Sequence, residues 1–177
     1  MAYQKKSAWL ANPILAGQLK PWLIDNGSLT LRLQKHYPTF GLKPLCFQYN
    51  KPIQDEAMRL GLPSYKIALI REVLLMGNHQ AVVFAHSVLP KSSLRGAWYG
   101  LGKIGNKPLG AALFANPQVK REPLRFKKLS PHHVLYQKAV QHLNEKPAYM
   151  WARRSVFSLN CATILVTEVF LPPLLSK

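Results

Sequence analysis

Acidic residues are scarce in this sequence. Seven Asp and Glu stand against 24 Lys and Arg, which gives a formal net charge of +17 at pH 7. A surface this basic attracts nucleic acid, anionic lipid or anionic small molecules. The scarcity also singles out each carboxylate: an acid within an apolar strand must be paired, protonated or used in chemistry.

Cysteine is scarcer still. Cys46 and Cys161 lie far apart, and the six histidines form no HxxxH pair. This spacing rules out a disulfide framework and predicts no metal site. Two isolated cysteines are typical of a protein from a reducing compartment.

Long apolar runs are missing as well. No run reaches the ~18 residues of a membrane-spanning helix, so we expect no stable membrane insertion. The first 17 residues resemble a signal peptide, but Asn12 and Pro13 interrupt the apolar stretch and favour an amphipathic helix. There is no basic tail, zinc finger or aromatic RNA-binding signature, so we expect no nucleic-acid partner either. These absences predict a cytoplasmic protein.

The remaining composition is that of a folded domain. Hydrophobic residues make up 48% of the 177-residue chain, and the sequence shows neither repeats nor low-complexity segments. A chain of this length can bury a substantial core. We therefore expect one domain over residues 1–177.

Two pairs of β-rich runs predict hairpins. Residues 64–76 and 81–90 flank a Gly-Asn turn, and residues 149–160 and 161–172 meet near Asn160. Neighbouring hairpins favour an antiparallel sheet, hence an α+β fold with six strands and four or five helices. The other two strands are expected at 42–53 and 121–130, and helices at 13–24 (broken or kinked at Pro21), 27–37 (capped by Ser28), 131–143 and twice within 91–115.

Two charged residues interrupt these apolar strands. Period 2 places Arg71 on one face of its strand with Leu69 and Val73, and Glu72 on the other. Glu168 shares a face with Val166 and Phe170 of the last strand. Each residue allows an ordinary explanation, a cross-strand ion pair for Arg71 and a solvated position for Glu168. If both enter one pocket, they would bind an anionic group and a hydroxyl, as a benzoate-like ligand requires.

A glycine-rich stretch suggests a cofactor site that its context contradicts. Residues 100–105 match G-x-G-x-x-G, but the preceding residues predict a helix, whereas a dinucleotide site needs a strand there. A helix–helix linker is the better interpretation. Just after it, Pro108 suits a helix start, which would leave the backbone N–H groups of Leu109 and Gly110 free for a carboxylate or merely begin a helix.

Three segments carry a family resemblance. They are IREVLLMGNHQAVVFAHSVLP (70–90), LGKIGNKPLGAALF (101–114) and MWARRSVFSLNCATILVTEVFLPPL (150–174). In this order and spacing they resemble the chorismate lyase family, and residues 22–35 match it more loosely. The resemblance implies a single-domain α+β fold in which helices cover a ligand cavity against a six-stranded antiparallel sheet.

The same resemblance implies an activity. The family removes pyruvate from chorismate and leaves 4-hydroxybenzoate, the first committed step of ubiquinone biosynthesis, without metal or organic cofactor. Chorismate and 4-hydroxybenzoate are then the expected small-molecule partners of a monomer. The alternative is a non-catalytic domain that binds an aromatic acid, since effector domains of some transcription regulators resemble the lyase fold.

Residue by residue, the resemblance assigns a site. Arg71 and the backbone amide of Leu109 match the groups that bind the ring carboxylate, and Glu168 matches the glutamate that meets the 4-hydroxyl. Arg71 and Glu168 are the expected catalytic residues, and Leu29 matches a backbone contact from a covering helix. His86 replaces an arginine in the A-R-S/T-V-x-P motif of many relatives, and we expect it on the pyruvate side, where Arg153 or Arg154 offers an alternative positive charge.

Overall fold

The computed structural model describes residues 8–105 and 107–176. The first seven residues of the signal-peptide-like stretch and Asn106, beside the expected helix start at Pro108, lie outside these ranges. The strands are β1 Phe40–Asn50, β2 Ala68–Gly77, β3 Gln80–Pro90, β4 Lys120–Arg121, β5 Arg125–Leu129, β6 Met150–Leu159 and β7 Ala162–Phe170. The helices are α1 Lys20–Leu23, α2 Leu29–His36, α3 Gln54–Arg59, α4 Lys91–Arg95, α5 Leu109–Ala115 and α6 Val134–Val140, with 3-10 turns at Gly17–Leu19, Tyr99–Lys103 and Pro172–Leu175.

The described strands form one antiparallel sheet in the order β1-β2-β3-β7-β6-β4, and β5 also pairs with β6. Both predicted hairpins are confirmed. Two-residue turns close them, at Asn78–His79 and Asn160–Cys161, and all four residues have positive φ angles. Such turns match the twist of antiparallel strands. The α+β class and the antiparallel sheet are therefore as expected.

The prediction of six strands was wrong by one. The expected strand at 121–130 is two strands, since β4 and β5 pair with separate parts of β6. Glu122 still donates its N–H to the carbonyl of Val156 at 2.9 Å. Pro123 follows and has no N–H to donate, so the ladder breaks there.

Helices cover both faces of the sheet. On one face, α1 and α2 pack over Val73, Ala85 and Trp151, while α4 and α5 pack over Leu69 and Phe157. On the other face, α6 packs over the alternate residues of β2, β3, β6 and β7. We call these the α2/α5 face and the α6 face. The arrangement follows from period 2 along strands that are buried on both sides.

The N-terminal helix differs from its prediction. The expected helix at 13–24 is a 3-10 turn followed by α1, and Leu15 and Gly17 have positive φ angles that end any helix before residue 17. Pro21 does not kink a helix. It lies in the first turn of α1, where no N–H is needed. The helix expected at 27–37 is confirmed as α2, where Ser28 Oγ accepts a hydrogen bond from the Leu31 N–H at 3.4 Å.

Candidate active site

A cleft lies between the α2/α5 face of the sheet and the helices above it. Strands β2, β3 and β7 form its floor, and the starts of α2 and α5 form its roof. Its lining is mostly apolar, with a few polar groups that converge on it, as in small-molecule sites generally. The polar side chains that line it are those of Thr30, Arg71, Ser87, Arg121 and Glu168.

Arg71 brings a buried positive charge to the floor of this cleft. Its side chain is 3% exposed. Nη2 donates to the carbonyl of Lys107 at 2.8 Å, whereas the buried Nε finds no acceptor. No carboxylate of residues 8–105 and 107–176 forms an ion pair with Arg71. Burial lowers the pKa of the Arg71 guanidinium, because the charged form is poorly solvated there. An anionic ligand would relieve that cost.

Two helix starts meet over the cleft. Leu29 is the first residue of α2 and Leu109 the first of α5, and both line the cleft. Backbone N–H groups in a first helical turn have no acceptor within the helix. Gly110 permits this close packing, since a Cβ there would lie 3.3 Å from the Oγ of Ser28 and 3.4 Å from that of Thr30. The predicted helix start after Pro108 is confirmed, and its first residues lie at the cleft.

Glu168 is paired rather than solvated. Its Oε2 accepts a hydrogen bond from the Nε of Arg153 at 2.5 Å. Arg153 has no exposed surface, and its Nη1 donates to the backbone carbonyls of Trp22, Leu23 and Asp25. The second carboxylate oxygen of Glu168 accepts no hydrogen bond from the described residues, and the side chain reaches the cleft. One oxygen therefore holds the structure together while the other is available to a ligand.

His86 does not reach the cleft. It lies on the α6 face, 3% exposed, between the carboxylates of Glu56 (3.2 Å) and Glu72 (2.9 Å). A β-bulge explains the discrepancy: Met76 pairs with Ala81 but Leu75 pairs with Val83, so β3 carries one extra residue.

Without the bulge His86 would pair with Arg71 and share its face, because a one-residue slip moves every side chain to the other side. With the bulge, Ser87 pairs with Arg71 instead and lines the cleft. The expectation of a substrate contact from His86 therefore has no support in this geometry.

Strand register also decides between Arg153 and Arg154 as the inward-facing cation. Arg153 faces the cleft side, whereas Arg154 faces the α6 side and pairs with Asp55 at 2.9 Å. Sequence reasoning missed Arg121, which lines the cleft and lies over the rings of Phe114 and Phe157. Its sequence signal is its place in a basic group at 120–128, a pattern that is typical of surface charge.

The described residues contain no cluster of three or more His, Cys, Asp and Glu side chains suited to a metal ion. In the same part of the chain, no helix has both the length and the apolar character that crossing a bilayer requires. The G-x-G-x-x-G stretch lies in the 3-10 turn Tyr99–Lys103 and its exit, after α4 rather than after a strand. This placement agrees with the linker interpretation.

Solved structures share the fold. The chain resembles a GntR-family transcriptional regulator from Bacillus cereus, with a TM-score of 0.57 at 15% identity over 78% of this chain and 95% of that one. It also resembles the effector domain of PhnF from Mycobacterium smegmatis, with a TM-score of 0.56 at 14% identity over 82% and 89%. At such identities the likeness concerns the fold alone.

Sequence comparison is more specific. A protein of Methylobacillus flagellatus named probable chorismate pyruvate-lyase is 45% identical over 170 residues, 96% of each chain. A protein of the same name from Nitrosomonas europaea is 46% identical over 166 residues, 93% of each chain. The profile of the family described as chorismate lyase matches residues 4–177. This chain therefore belongs to the chorismate lyase family.

Proposed function

We propose that this protein is a chorismate pyruvate-lyase, which eliminates pyruvate from chorismate and leaves 4-hydroxybenzoate. The observation that carries the proposal is the buried guanidinium of Arg71, which has no carboxylate partner among the described residues and lines the same cleft as Glu168. A cleft with an unneutralised cation and a carboxylate suits an aromatic acid that bears a hydroxyl. Family membership and the names of relatives at about 45% identity support the same reaction.

The reaction requires few groups from the protein. Chorismate already holds two ring double bonds. Breaking the C3–O bond to the enolpyruvyl group and removing the C4 proton forms the third, and the ring becomes aromatic. The departing enolpyruvate gains a proton to become pyruvate. Orientation, charge placement and one proton acceptor are sufficient, and no metal or organic cofactor is required.

Arg71 would bind the ring carboxylate. A guanidinium matches a carboxylate in geometry, and the unpaired Nε offers a donor that no described residue uses. The Leu109 amide at the start of α5 would donate to the same carboxylate, and Leu29 at the start of α2 would close the cleft beside it. These three residues come from β2, α5 and α2, so binding would draw the roof onto the floor.

Glu168 would meet the C4 hydroxyl with the oxygen that Arg153 leaves free. From that position it would either orient the hydroxyl or take the C4 proton. The 2.5 Å contact with Arg153 fixes the direction of the Glu168 carboxylate. Glu168→Gln is therefore expected to lose turnover more than ligand binding.

The cellular setting is part of the proposal. 4-Hydroxybenzoate would feed ubiquinone biosynthesis from the cytoplasm. A single domain over residues 1–177, acting as a monomer, would hold the complete site, since all the proposed groups come from one chain. Chorismate and 4-hydroxybenzoate would be its small-molecule partners, and nucleic acid would not be one.

A non-catalytic aromatic-acid-binding domain is the second candidate. The likeness to effector domains of transcription regulators favours it, although at the level of fold only. A sensor of an aromatic acid needs Arg71 but no proton acceptor, so the Arg153–Glu168 pair in the cleft supports the lyase instead.

Product analysis decides between the two. Purified protein is mixed with chorismate, pyruvate is followed through a lactate dehydrogenase couple, and 4-hydroxybenzoate is quantified by chromatography. Equal amounts of the two products are expected. If 4-hydroxybenzoate binds tightly but no pyruvate appears, the second candidate replaces the first.

A further inference from the structure

Arg121 is a cleft cation that the roles above leave without a ligand. It ends β4, where it pairs with Phe157 of β6, and its side chain lines the cleft. The guanidinium is held firmly: Nε donates to the Ser155 hydroxyl at 2.7 Å, and Nη1 to the carbonyl of Asn26 at 2.9 Å. The rings of Phe114 and Phe157 lie 5.5 and 5.1 Å from its carbon Cζ. Its orientation is therefore fixed before any ligand arrives.

Nothing in the described chain neutralises this cation directly. No carboxylate of residues 8–105 and 107–176 forms an ion pair with Arg121. The hydrogen bonds of Nε and Nη1 go to two uncharged oxygens, those of Ser155 and Asn26. Burial lowers the pKa of Arg121 to about 10, and the more distant Glu168 only partly compensates. A guanidinium so placed is stabilised by an incoming anion.

The balance of charge around the cleft indicates the charge of that anion. Arg71, Arg121 and Glu168 line the cleft, and Arg153 pairs with Glu168, so together they carry three positive charges and one negative charge. The surplus of two equals the charge of a dicarboxylate. Arg153 is fully buried and is not among the residues that line the cleft. Its Nε and Nη1 hold Glu168 and three backbone carbonyls, and its buried Nη2 finds no partner among the described residues. Arg71 and Arg121 remain as two separate carboxylate sites.

We propose that Arg121 binds the second carboxylate of the substrate, the one on the enolpyruvyl group that leaves. The proposal rests on the function proposed above, in which Arg71 takes the ring carboxylate. The contact with Arg121 fixes the C3 substituent relative to Glu168, so that the leaving group and the C4 proton are aligned. The same contact distinguishes substrate from product, because 4-hydroxybenzoate lacks the carboxylate that Arg121 binds.

The kinetic test exploits that difference. Arg121→Met keeps much of the side-chain volume and removes the charge. We expect the KM for chorismate to rise at least tenfold, while the inhibition constant of 4-hydroxybenzoate stays within twofold of wild type. Arg121→Lys, which restores a charge without the planar fork, should recover part of the loss. Arg125→Gln, an exposed arginine on neighbouring β5, is the matched control and should change neither constant.

A binding test needs no turnover. The probes are 3-(carboxymethoxy)-4-hydroxybenzoate and its neutral carbamoylmethoxy analogue, titrated calorimetrically. Wild type and Arg125→Gln should bind the acid at least tenfold more tightly than the amide, and Arg121→Met should bind both equally. If Arg121→Met weakens 4-hydroxybenzoate, acid and amide to the same extent, or keeps the preference for the acid, the proposal is wrong. Failure of the lyase assay in wild type would overturn the proposed function while this probe preference still decides the role of Arg121.

Discussion

The two faces of the sheet carry buried charges in opposite states of balance. On the α6 face the carboxylates have cations: the part-exposed Asp55 has Arg154, the buried Glu56 has His86, and the buried Glu72 has Lys138 (2.7 Å) as well as His86. On the α2/α5 face Glu168 pairs with Arg153, whereas Arg71 and Arg121 form no ion pair with any carboxylate of the described residues. Both clusters are expensive to bury, but only one is neutral within the described chain. A charged cluster that is neutral indicates a structural role, and a cluster with excess positive charge indicates an anionic ligand.

The largest effect is expected from removing the single carboxylate of the α2/α5 face. Glu168→Gln should lower turnover by about 100-fold or more, the usual scale for a positioned proton acceptor. Binding of 4-hydroxybenzoate should fall less. Since the change also leaves Arg153 without its carboxylate, the melting temperature should be measured beside kcat. Wild-type rates in a folded variant would exclude Glu168 from the reaction.

The balanced face should respond in stability rather than activity. His86→Phe leaves Glu56 with only the Ile53 N–H and Glu72 with only Lys138, and it should cost about 3 kcal/mol of unfolding free energy at pH 7. Urea denaturation measures this. The KM for chorismate should stay unchanged, because His86 lies outside the cleft. A raised KM with unaltered stability would assign His86 to the substrate after all.

The same residue makes a prediction about pH. Burial alone lowers the pKa of His86, but Glu56 and Glu72 outweigh burial and raise it from 6.5 to about 9. The proton is held more tightly in the folded state, so its stabilisation is complete below pH 6.5 and is lost as pH rises through 9. Unfolding free energies from pH 6 to 10 should fall in wild type more steeply than in His86→Phe. Parallel curves would contradict the raised pKa.

Arg71→Met should weaken ligand binding without lowering stability, the reverse of what is expected for His86→Phe. Loss of a charge-assisted, buried contact should weaken 4-hydroxybenzoate binding by about 2 kcal/mol, as calorimetric titration can measure. The apo protein should be no less stable, since the variant removes a buried cation that has no carboxylate partner among the described residues. Arg125→Gln serves as the exposed control. Undiminished affinity would remove Arg71 from the site.

The smallest effect is expected from a substitution in α5, in the roof of the cleft. Gly110→Ala places a methyl group 3.3 Å from the Ser28 Oγ, so α5 must shift by a few tenths of an ångström. We expect a cost of about 1 kcal/mol in ligand affinity, because the Leu109 amide moves with α5. Gly100→Ala is a suitable control, since a Cβ there meets no atom within 4 Å. Equal affinities of the two variants would show that the contact between α2 and α5 does not position the amide.

Much of this arrangement could be predicted from sequence. Alternation along β2 separated Arg71 from Glu72, and the structure confirms that they face opposite sides. The pairing of Arg153 with Glu168 was also within reach, because counting back from a two-residue turn at Asn160–Cys161 sets them opposite each other. Local patterns determine such features, so a single strand or hairpin is enough to find them.

The errors have non-local causes. The bulge in β3 that turns His86 away from the cleft leaves no composition signal, since both residues of the bulge are valines in an apolar strand. Arg121 is part of a basic run, and only the pairing of β4 with distant β6 brings it beneath α5. Whether a charged side chain has an oppositely charged partner depends on which strands become neighbours. Local sequence patterns do not determine the pairing of strands that are distant in the chain.

The hydrogen bonds of Arg153 also order events during synthesis. Its Nη1 holds the carbonyls of Trp22, Leu23 and Asp25, which leave the ribosome about 130 residues before Arg153 does. Contacts across about 130 residues carry a large loop-closure cost, so they form late. The segment before α2 must therefore wait for the C-terminal hairpin before it can dock. A segment that is made early and docks late stays accessible to chaperones in the interval.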